Sequence, residues 1–181
     1  CRAQLLTRFS NEVKGFFEEQ NIEKIYTETE RLSVSLLSQL RKILSPIKVT
    51  PSQRLEKLIN DLRSVKDETE VENIKKAQSI AEDAFNHILT FIKEGVTEKQ
   101  IALELDFYML KNGAEAVSFE TIAVSGKNSS MPHGVPTDKR IENGDFITMD
   151  FGAVYKGYHS DMTRTVAVGE VSSEQRKIYE I

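Results

Sequence analysis

The chain has 181 residues, with 24 Lys and Arg against 28 Asp and Glu and a formal net charge of -4. This balance gives no basic field to hold nucleic acid or an anionic membrane, so neither is expected as a partner. The one cysteine, Cys1, excludes an internal disulfide framework and favours a reducing compartment, with the cytoplasm as the expected location. No apolar run approaches the roughly 18 residues of a membrane span. The start lacks a methionine and any helix-cap signal, so we expect the chain to begin inside a larger protein.

The first third of the chain alternates helical and strand-like patterns. Helices are predicted around residues 11–20, 32–44 and 52–65, and strands at 24–28 and 47–50. This α/β pattern contains no glycine-rich loop and no acidic cluster. An accessory or packing role is therefore expected for this part of the chain.

Two capping boxes mark the helices of the middle third. Asp67 with Glu70 opens a long amphipathic helix, and Thr97 with Gln100 opens a second helix that ends at "NGA". His87 lies on the first of these helices. A lone helical histidine is more often structural or solvated than a ligand, so it is assigned no role.

From Ser118 onward the pattern changes to strands. Residues 119–126 are strand-like, residues 127–145 form a loop rich in turn formers, and strands 146–155 and 158–169 face each other across "KG". The second domain is therefore predicted to be α+β, with helices first and an antiparallel sheet after them.

The last two strands each carry an aspartate. Because side chains alternate along a strand, Asp150 points away from the apolar face, and pairing places it opposite position 161 or 163. Asp150 and Asp161 then share a face, about 5 to 8 Å apart, where like charges need a positive partner. A divalent cation such as Mn²⁺, Mg²⁺, Co²⁺ or Zn²⁺ would supply it. A salt bridge to Arg164 or Lys156 is the alternative, and a one-residue bulge would separate the aspartates.

Four segments carry a family resemblance: "SGKNSSMPHGVP", "GDFITMDFGA", "YKGYHSDMTRT" and "SSEQRKIYEI". Together they resemble the metallopeptidases of the pita-bread fold, and among them the Xaa-Pro peptidases, proline dipeptidase and aminopeptidase P. The resemblance implies that residues 64–181 are the amino-terminal half of a pita-bread catalytic domain. Residues 1–63 resemble the tail of the α/β creatinase-type amino-terminal domain that precedes it.

The resemblance also implies a metal site. In the family, two aspartates, one histidine and two glutamates hold two divalent ions, with manganese expected first and cobalt or zinc as alternatives. The motif match assigns Asp150 and Asp161 as metal ligands. His133, in "MPHGVP", matches the catalytic histidine that contacts substrate and steadies the reaction intermediate. Thr163 and Thr165 are hypothesised to orient the ligands.

The activity implied by the resemblance is hydrolysis of the bond preceding proline at a peptide amino terminus, by a protein that is a homodimer at full length. The family's other ligands lie beyond Ile181, so we expect a weak or absent metal site and no activity in this chain alone. Two alternatives remain open: a non-catalytic binding or assembly module of the same fold, and a methionine aminopeptidase or creatinase-like relative. The early α/β segment and the "MPHGVP" loop favour Xaa-Pro cleavage.

Overall fold

The computed structural model describes residues 9–180, with side chains from Glu12 onward. By its internal contacts the chain divides into two units, Cys1–Lys66 and Asp67–Ile181. Cys1, on which the expected reducing compartment depends, lies outside the described residues.

The first unit alternates helices with strands. Its elements are α1 (Phe9–Glu19), β1 (Lys24–Thr27), α2 (Val34–Leu44), β2 (Lys48–Pro51) and α3 (Gln53–Ser64). Strands β1 and β2 pair in parallel, which requires a crossover between them, and α2 supplies it. The small core is formed by Leu44, Ile47 and Val49. The predicted order of three helices and two strands is confirmed.

The second unit begins with two helices and continues with short strands. Its elements are α4 (Glu68–Phe91), α5 (Glu98–Lys111), β3 (Ala116–Val117), β4 (Ile122–Ser125), a 3₁₀ helix (Gly126–Ser130), β5 (Phe146–Phe151), β6 (Ala153–Tyr155), β7 (Tyr158–His159), β8 (Met162–Ala167) and α6 (Ser173–Tyr179). Both predicted capping boxes form at the starts of α4 and α5. Within residues 9–180 no helix is long and apolar enough to cross a membrane.

The predicted strand at residues 119–126 and the loop after it differ in detail from the structure. The strand is shorter, because only Ile122–Ser125 pairs with β5. The beginning of the predicted loop is a 3₁₀ helix, in which Ser129 and Ser130 donate side-chain hydrogen bonds to carbonyls three residues earlier. Such local bonds favour turns over extended strands.

The predicted hairpin forms, but its two arms pass through two sheets. The turn is Lys156-Gly157, with φ of 48° and 76°, which is typical of the two-residue turns that join antiparallel strands. Strands β6 and β7 beside the turn belong to a sheet of order β3-β6-β7, whereas β5 and β8 belong to one of order β4-β5-β8. The sequence predicted a single antiparallel sheet, because alternation alone does not reveal where a strand changes sheets.

Gly152 lies where the first arm leaves one sheet for the other. A Cβ atom at this position would lie 2.0 Å from the carbonyl oxygen of Ser160 on the opposite arm, so no side chain fits. The buried Ser160 hydroxyl accepts a hydrogen bond from the Ala153 N–H at 2.9 Å and lies 3.2 Å from the Ala77 carbonyl of α4. Glycine therefore allows the close approach of the two arms.

The core of the second unit lies between the two helices and one face of β5. Ile147, Met149 and Phe151 are fully buried and belong to one cluster with Ile80 of α4 and Leu105 of α5. The alternating burial along β5 confirms the predicted apolar face. Consequently Thr148 and Asp150 lie on the other side of the strand.

Replacing Gly152 with alanine should destabilise the second unit. We expect the clash with the Ser160 carbonyl to lower the free energy of unfolding by about 1–3 kcal/mol, as overpacking does in other proteins. Urea denaturation of the full-length protein measures this change. Gly15→Ala is the control, because no atom lies within 4 Å of a Cβ at Gly15. That helical substitution should be stabilising by about 0.5–1 kcal/mol. Wild-type stability in Gly152→Ala would contradict the close approach.

Candidate functional site

A cleft of about 510 Å³ lies beside β5 in the second unit. His133, Asp150 and Asp161 all line it, together with Thr121 and Ile122 from the β4 segment. The three residues that the sequence singled out therefore lie around one cavity, although three different segments carry them. Their chemical roles stay predictions.

Asp150 has a side-chain oxygen without a partner. Its Oδ1 atom is buried and accepts no hydrogen bond from the described part of the chain. An unsatisfied buried acceptor costs about 1–3 kcal/mol. A hard divalent cation is a suitable partner for such an oxygen, because carboxylates are preferred ligands of Mg²⁺ and Mn²⁺. The chemistry of Asp150 thus fits a metal ligand.

Asp161 lies across the hairpin from Asp150. Asp150 pairs with Thr163, and the same register continues to the pair of Val154 and His159, so Asp161 lies opposite Gly152. The two aspartates are one diagonal step apart, about 7–8 Å between Cα atoms. Since no extra residue interrupts this register, both carboxylates lie on one face, which agrees with the cleft that they share.

The alternative of a salt bridge is not what the structure contains. The Arg164 guanidinium donates to the Thr163 carbonyl at 2.8 Å, and the Lys156 ammonium lies 5.6 Å from the centre of the Tyr155 ring. Within residues 12–180, neither aspartate forms an ion pair. Among these residues, no neighbouring basic side chain therefore relieves the mutual repulsion of the two carboxylates.

The two aspartates do not form a complete metal site in the described chain. No group of three or more His, Cys, Asp or Glu side chains among the described residues is arranged to hold a metal ion. Asp150 and Asp161 would thus be only part of the ligand set that the family resemblance implies.

His133 lies on the loop after the 3₁₀ helix, and its side chain is exposed at the cleft. The next residue, Gly134, is buried, and its N–H donates to the Met131 carbonyl at 3.1 Å. A Cβ at Gly134 would lie 2.9 Å from a methyl group of Val124 in β4. Close packing of this glycine against the strand therefore holds the backbone beside His133.

Sequence reasoning missed Glu98, at the start of α5. Its side chain is fully buried, with hydrogen bonds from Ser125 and Thr137. Burial alone would raise the pKa of Glu98, but the bonds from Thr137 and Ser125 together outweigh it, so the pKa lies below its ordinary value. An acidic residue in the first turn is common as a partner of the helix dipole, so the pattern gave no signal of burial.

Asp106, also on α5, was missed as well. Its Oδ1 accepts a hydrogen bond from the Thr121 hydroxyl, and Thr121 lines the cleft. Burial raises the pKa of Asp106, and the bond from Thr121 opposes this only in part. The spacing of these residues in the sequence did not reveal that α5 would contact the wall of the cleft.

Comparison with known proteins shows what this unit resembles. Residues 72–181 match the model of metallopeptidase family M24. A curated relative, the Xaa-Pro dipeptidase of Pyrococcus furiosus, is 39% identical over a 172-residue alignment that covers 93% of this chain and 49% of the relative. The chain spans about half the length of the curated relatives it matches.

Solved structures resemble the chain along nearly its whole length. A Bacillus anthracis Xaa-Pro dipeptidase has a TM-score of 0.89 and 42% identity, covering 99% of this chain and 48% of its own. An X-Pro aminopeptidase from Thermotoga maritima has a TM-score of 0.89 and 38% identity. The match covers 99% of this chain and 50% of the aminopeptidase chain. The expected pita-bread fold class is therefore confirmed, and the chain covers about half of each of these two structures.

Binding of a divalent cation at Asp150 should be detectable without any assay of activity. We expect MnCl₂ to raise the thermal unfolding midpoint of the full-length protein, since a ligand that binds the folded state stabilises it. Asp150→Asn should lose most of this rise, because the substitution removes the charge that the cation binds. Asp138→Asn is the control, as Asp138 is exposed and paired with Lys99. An undiminished rise in Asp150→Asn would contradict Asp150 as a ligand.

Proposed function

Because this chain belongs to metallopeptidase family M24, we propose that the whole protein hydrolyses the bond preceding proline at the amino terminus of peptides. The relatives named Xaa-Pro dipeptidase and X-Pro aminopeptidase support this substrate class. The observation that carries the proposal is that His133, Asp150 and Asp161 line one cleft. Since the chain spans about half the length of these relatives, we propose no activity for the 181 residues alone.

Asp150 and Asp161 are the proposed metal ligands within this chain. The buried, unpaired Oδ1 of Asp150 and the absence of an ion pair on either aspartate in the described structure support this assignment. Two ions are proposed for the complete protein, manganese first and cobalt or zinc as alternatives. When bound, such ions activate water and polarise a carbonyl group. A weak or absent site is proposed for this chain by itself.

His133 is the proposed catalytic residue that contacts the substrate. In the hydrolysis, the oxygen of water bonds to the scissile carbonyl carbon, the bond from that carbon to the proline nitrogen breaks, and the nitrogen takes up a proton. Negative charge develops on the carbonyl oxygen during the addition. The exposed imidazole of His133 at the cleft would donate a hydrogen bond to that oxygen, which stabilises the transition state.

The wall of the cleft suits a proline ring. Phe119, Ile122 and Val135 contribute apolar side chains to the lining. A proline residue presents an apolar ring, and its tertiary amide has no N–H to satisfy. The lining therefore supports a preference for Xaa-Pro peptides over peptides with a polar residue at the second position.

Further properties are proposed for the whole protein. Residues 1–63 are the remnant of an α/β amino-terminal domain, and residues 64–181 are the first half of the catalytic domain. The protein is a cytoplasmic homodimer, without nucleic-acid or membrane partners. The acidic balance of charges and the single cysteine support the location and the excluded partners. Light scattering on the purified protein measures its mass in solution and tests the dimer.

The full-length protein with MnCl₂ should hydrolyse Xaa-Pro peptides. Asp150→Asn and Asp161→Asn should each lower kcat by about 1,000-fold or more, because metal ions contribute several kcal/mol to catalysis. His133→Ala should lower kcat by about 100- to 1,000-fold, the usual loss on removing one oxyanion donor. Release of free proline from an Xaa-Pro dipeptide measures the rate, and circular dichroism checks the fold of each variant.

A panel of substrates distinguishes the alternatives. Xaa-Pro dipeptides, longer Xaa-Pro peptides, Met-Xaa peptides and creatine should be compared, with Asp138→Asn as a control of wild-type activity. Turnover of Met-Xaa or of creatine alone would overturn the proposed substrate class. An inactive protein that still binds Mn²⁺ would favour the binding or assembly module. Full activity in Asp150→Asn would refute the ligand assignment.

A further inference from the structure

Glu98 is a charged group in a buried position. Its side chain has 0% of its surface exposed, and it lies on the same helix as the core residues Ile101 and Leu105. Burying an isolated carboxylate is very costly unless its oxygens receive hydrogen bonds. Hydrogen-bond donors must therefore lie around the Glu98 carboxylate, and their positions show which segments it connects.

The donors come from two separate segments. Glu98 Oε1 accepts from the Ser125 N–H at 2.7 Å, the Ser125 hydroxyl at 2.9 Å and the Asn128 side-chain amide at 3.2 Å. Oε2 accepts from the Thr137 N–H at 2.9 Å and the Thr137 hydroxyl at 2.6 Å. The Lys139 ammonium donates to the Ser125 hydroxyl at 3.1 Å and pairs with Asp145 at 2.6 Å rather than with Glu98. The hydrogen bonds to the Glu98 carboxylate thus come from neutral groups.

These donors bracket the loop that carries His133. Ser125 immediately precedes the segment 126–136, which we name the His133 loop, and Thr137 immediately follows it. One carboxylate therefore fastens both ends of the loop, and Asn128 attaches a point within it. A hydrogen bond to a charged acceptor is roughly twice as strong as one between neutral groups.

The His133 side of the loop has little freedom between these attachments. Gly134 packs against Val124, with 2.9 Å from its Cβ position to a methyl group, and Thr137 follows three residues later. A shift at Thr137 would therefore be transmitted through a short segment to His133. Asp150 and Asp161 lie on the hairpin and receive no hydrogen bond from Glu98 or its donors in the described structure.

We propose that Glu98 is a positioning residue of the catalytic site: its carboxylate closes the His133 loop at both ends and thereby sets the imidazole in the cleft. This inference rests on the proposed function, because it assigns Glu98 an effect on the rate through His133. Glu98 is not among the described residues that line the cleft. Glu98 affects the step that His133 assists. The positions of Asp150 and Asp161 do not depend on Glu98.

Glu98→Gln tests the proposal because glutamine cannot serve both ends of the loop. Its amide has one acceptor oxygen and one NH₂ donor, so either the Ser125 N–H or the Thr137 N–H faces another donor. In the full-length protein we expect kcat for an Xaa-Pro dipeptide to fall about 10- to 100-fold with a smaller change in KM, as a displaced catalytic group costs up to about 100-fold. The manganese content should equal that of the wild type.

A double-mutant cycle with His133→Ala separates positioning from a general structural role. If Glu98 acts through His133, then Glu98→Gln should cause no further loss of kcat in the His133→Ala background. Equal losses in both backgrounds would overturn the proposal. Asp138→Asn is the matched control: it removes an exposed carboxylate beside Thr137 that pairs with Lys99, and it should keep the wild-type kcat.

A readout independent of activity separates failure of this proposal from failure of the proposed function. Lys127 is an exposed residue within the His133 loop, so trypsin cleavage after it reports on opening of the loop. Glu98→Gln should accelerate this cleavage, and an unchanged rate would overturn the proposal even if no peptide is hydrolysed. If Glu98→Gln does not fold, Thr137→Val, which removes only the hydroxyl bonded at 2.6 Å, should show both effects in weaker form.

Discussion

The register of the hairpin between β5 and β8 is the constraint on which the candidate site depends. The two-residue turn at Lys156-Gly157 fixes the pairing of the whole hairpin, because a change of one residue in the turn would move every opposing pair. With this register Asp150 faces Thr163, and Asp161 reaches the same face. Gly152 keeps the register intact across the change of sheet, since it lets the Ser160 carbonyl approach where any side chain would push the arms apart.

The environment of the two aspartates is energetically unfavourable. Burial of Asp150 Oδ1 without a partner, beside a second carboxylate and without a basic side chain in the described structure, costs free energy that packing must offset. The opposite face of β5 supplies that packing, because Ile147, Met149 and Phe151 are fully buried against α4 and α5. One strand thus stabilises the fold on one face and concentrates unsatisfied negative charge on the other. Such a division is typical of functional sites.

The sequence predicted the features that depend on local periodicity and turn chemistry. The capping boxes at Asp67 and Thr97, the order of helices, the turn at Lys156-Gly157 and the apolar face of β5 are all confirmed. The change of sheet at Gly152 was not predictable, because it depends on the tertiary contact with Ser160. The approach of His133 to the aspartates followed only from a family resemblance, since no local rule brings the 127–145 loop to the hairpin.

The burial of Glu98 illustrates why networks escape prediction from a sequence. Each donor looks ordinary alone: Ser125 ends a strand, and Thr137 follows a proline in a loop. Their relation is visible only in three dimensions, where two backbone N–H groups from the two ends of one loop both donate to the buried Glu98 carboxylate. A carboxylate can serve both ends because it has two acceptor oxygens, one for each end of the loop, whereas a hydroxyl has a single oxygen and an ammonium group accepts no hydrogen bond. The first turn of α5 presents that carboxylate from a rigid element, so the helix fixes the loop.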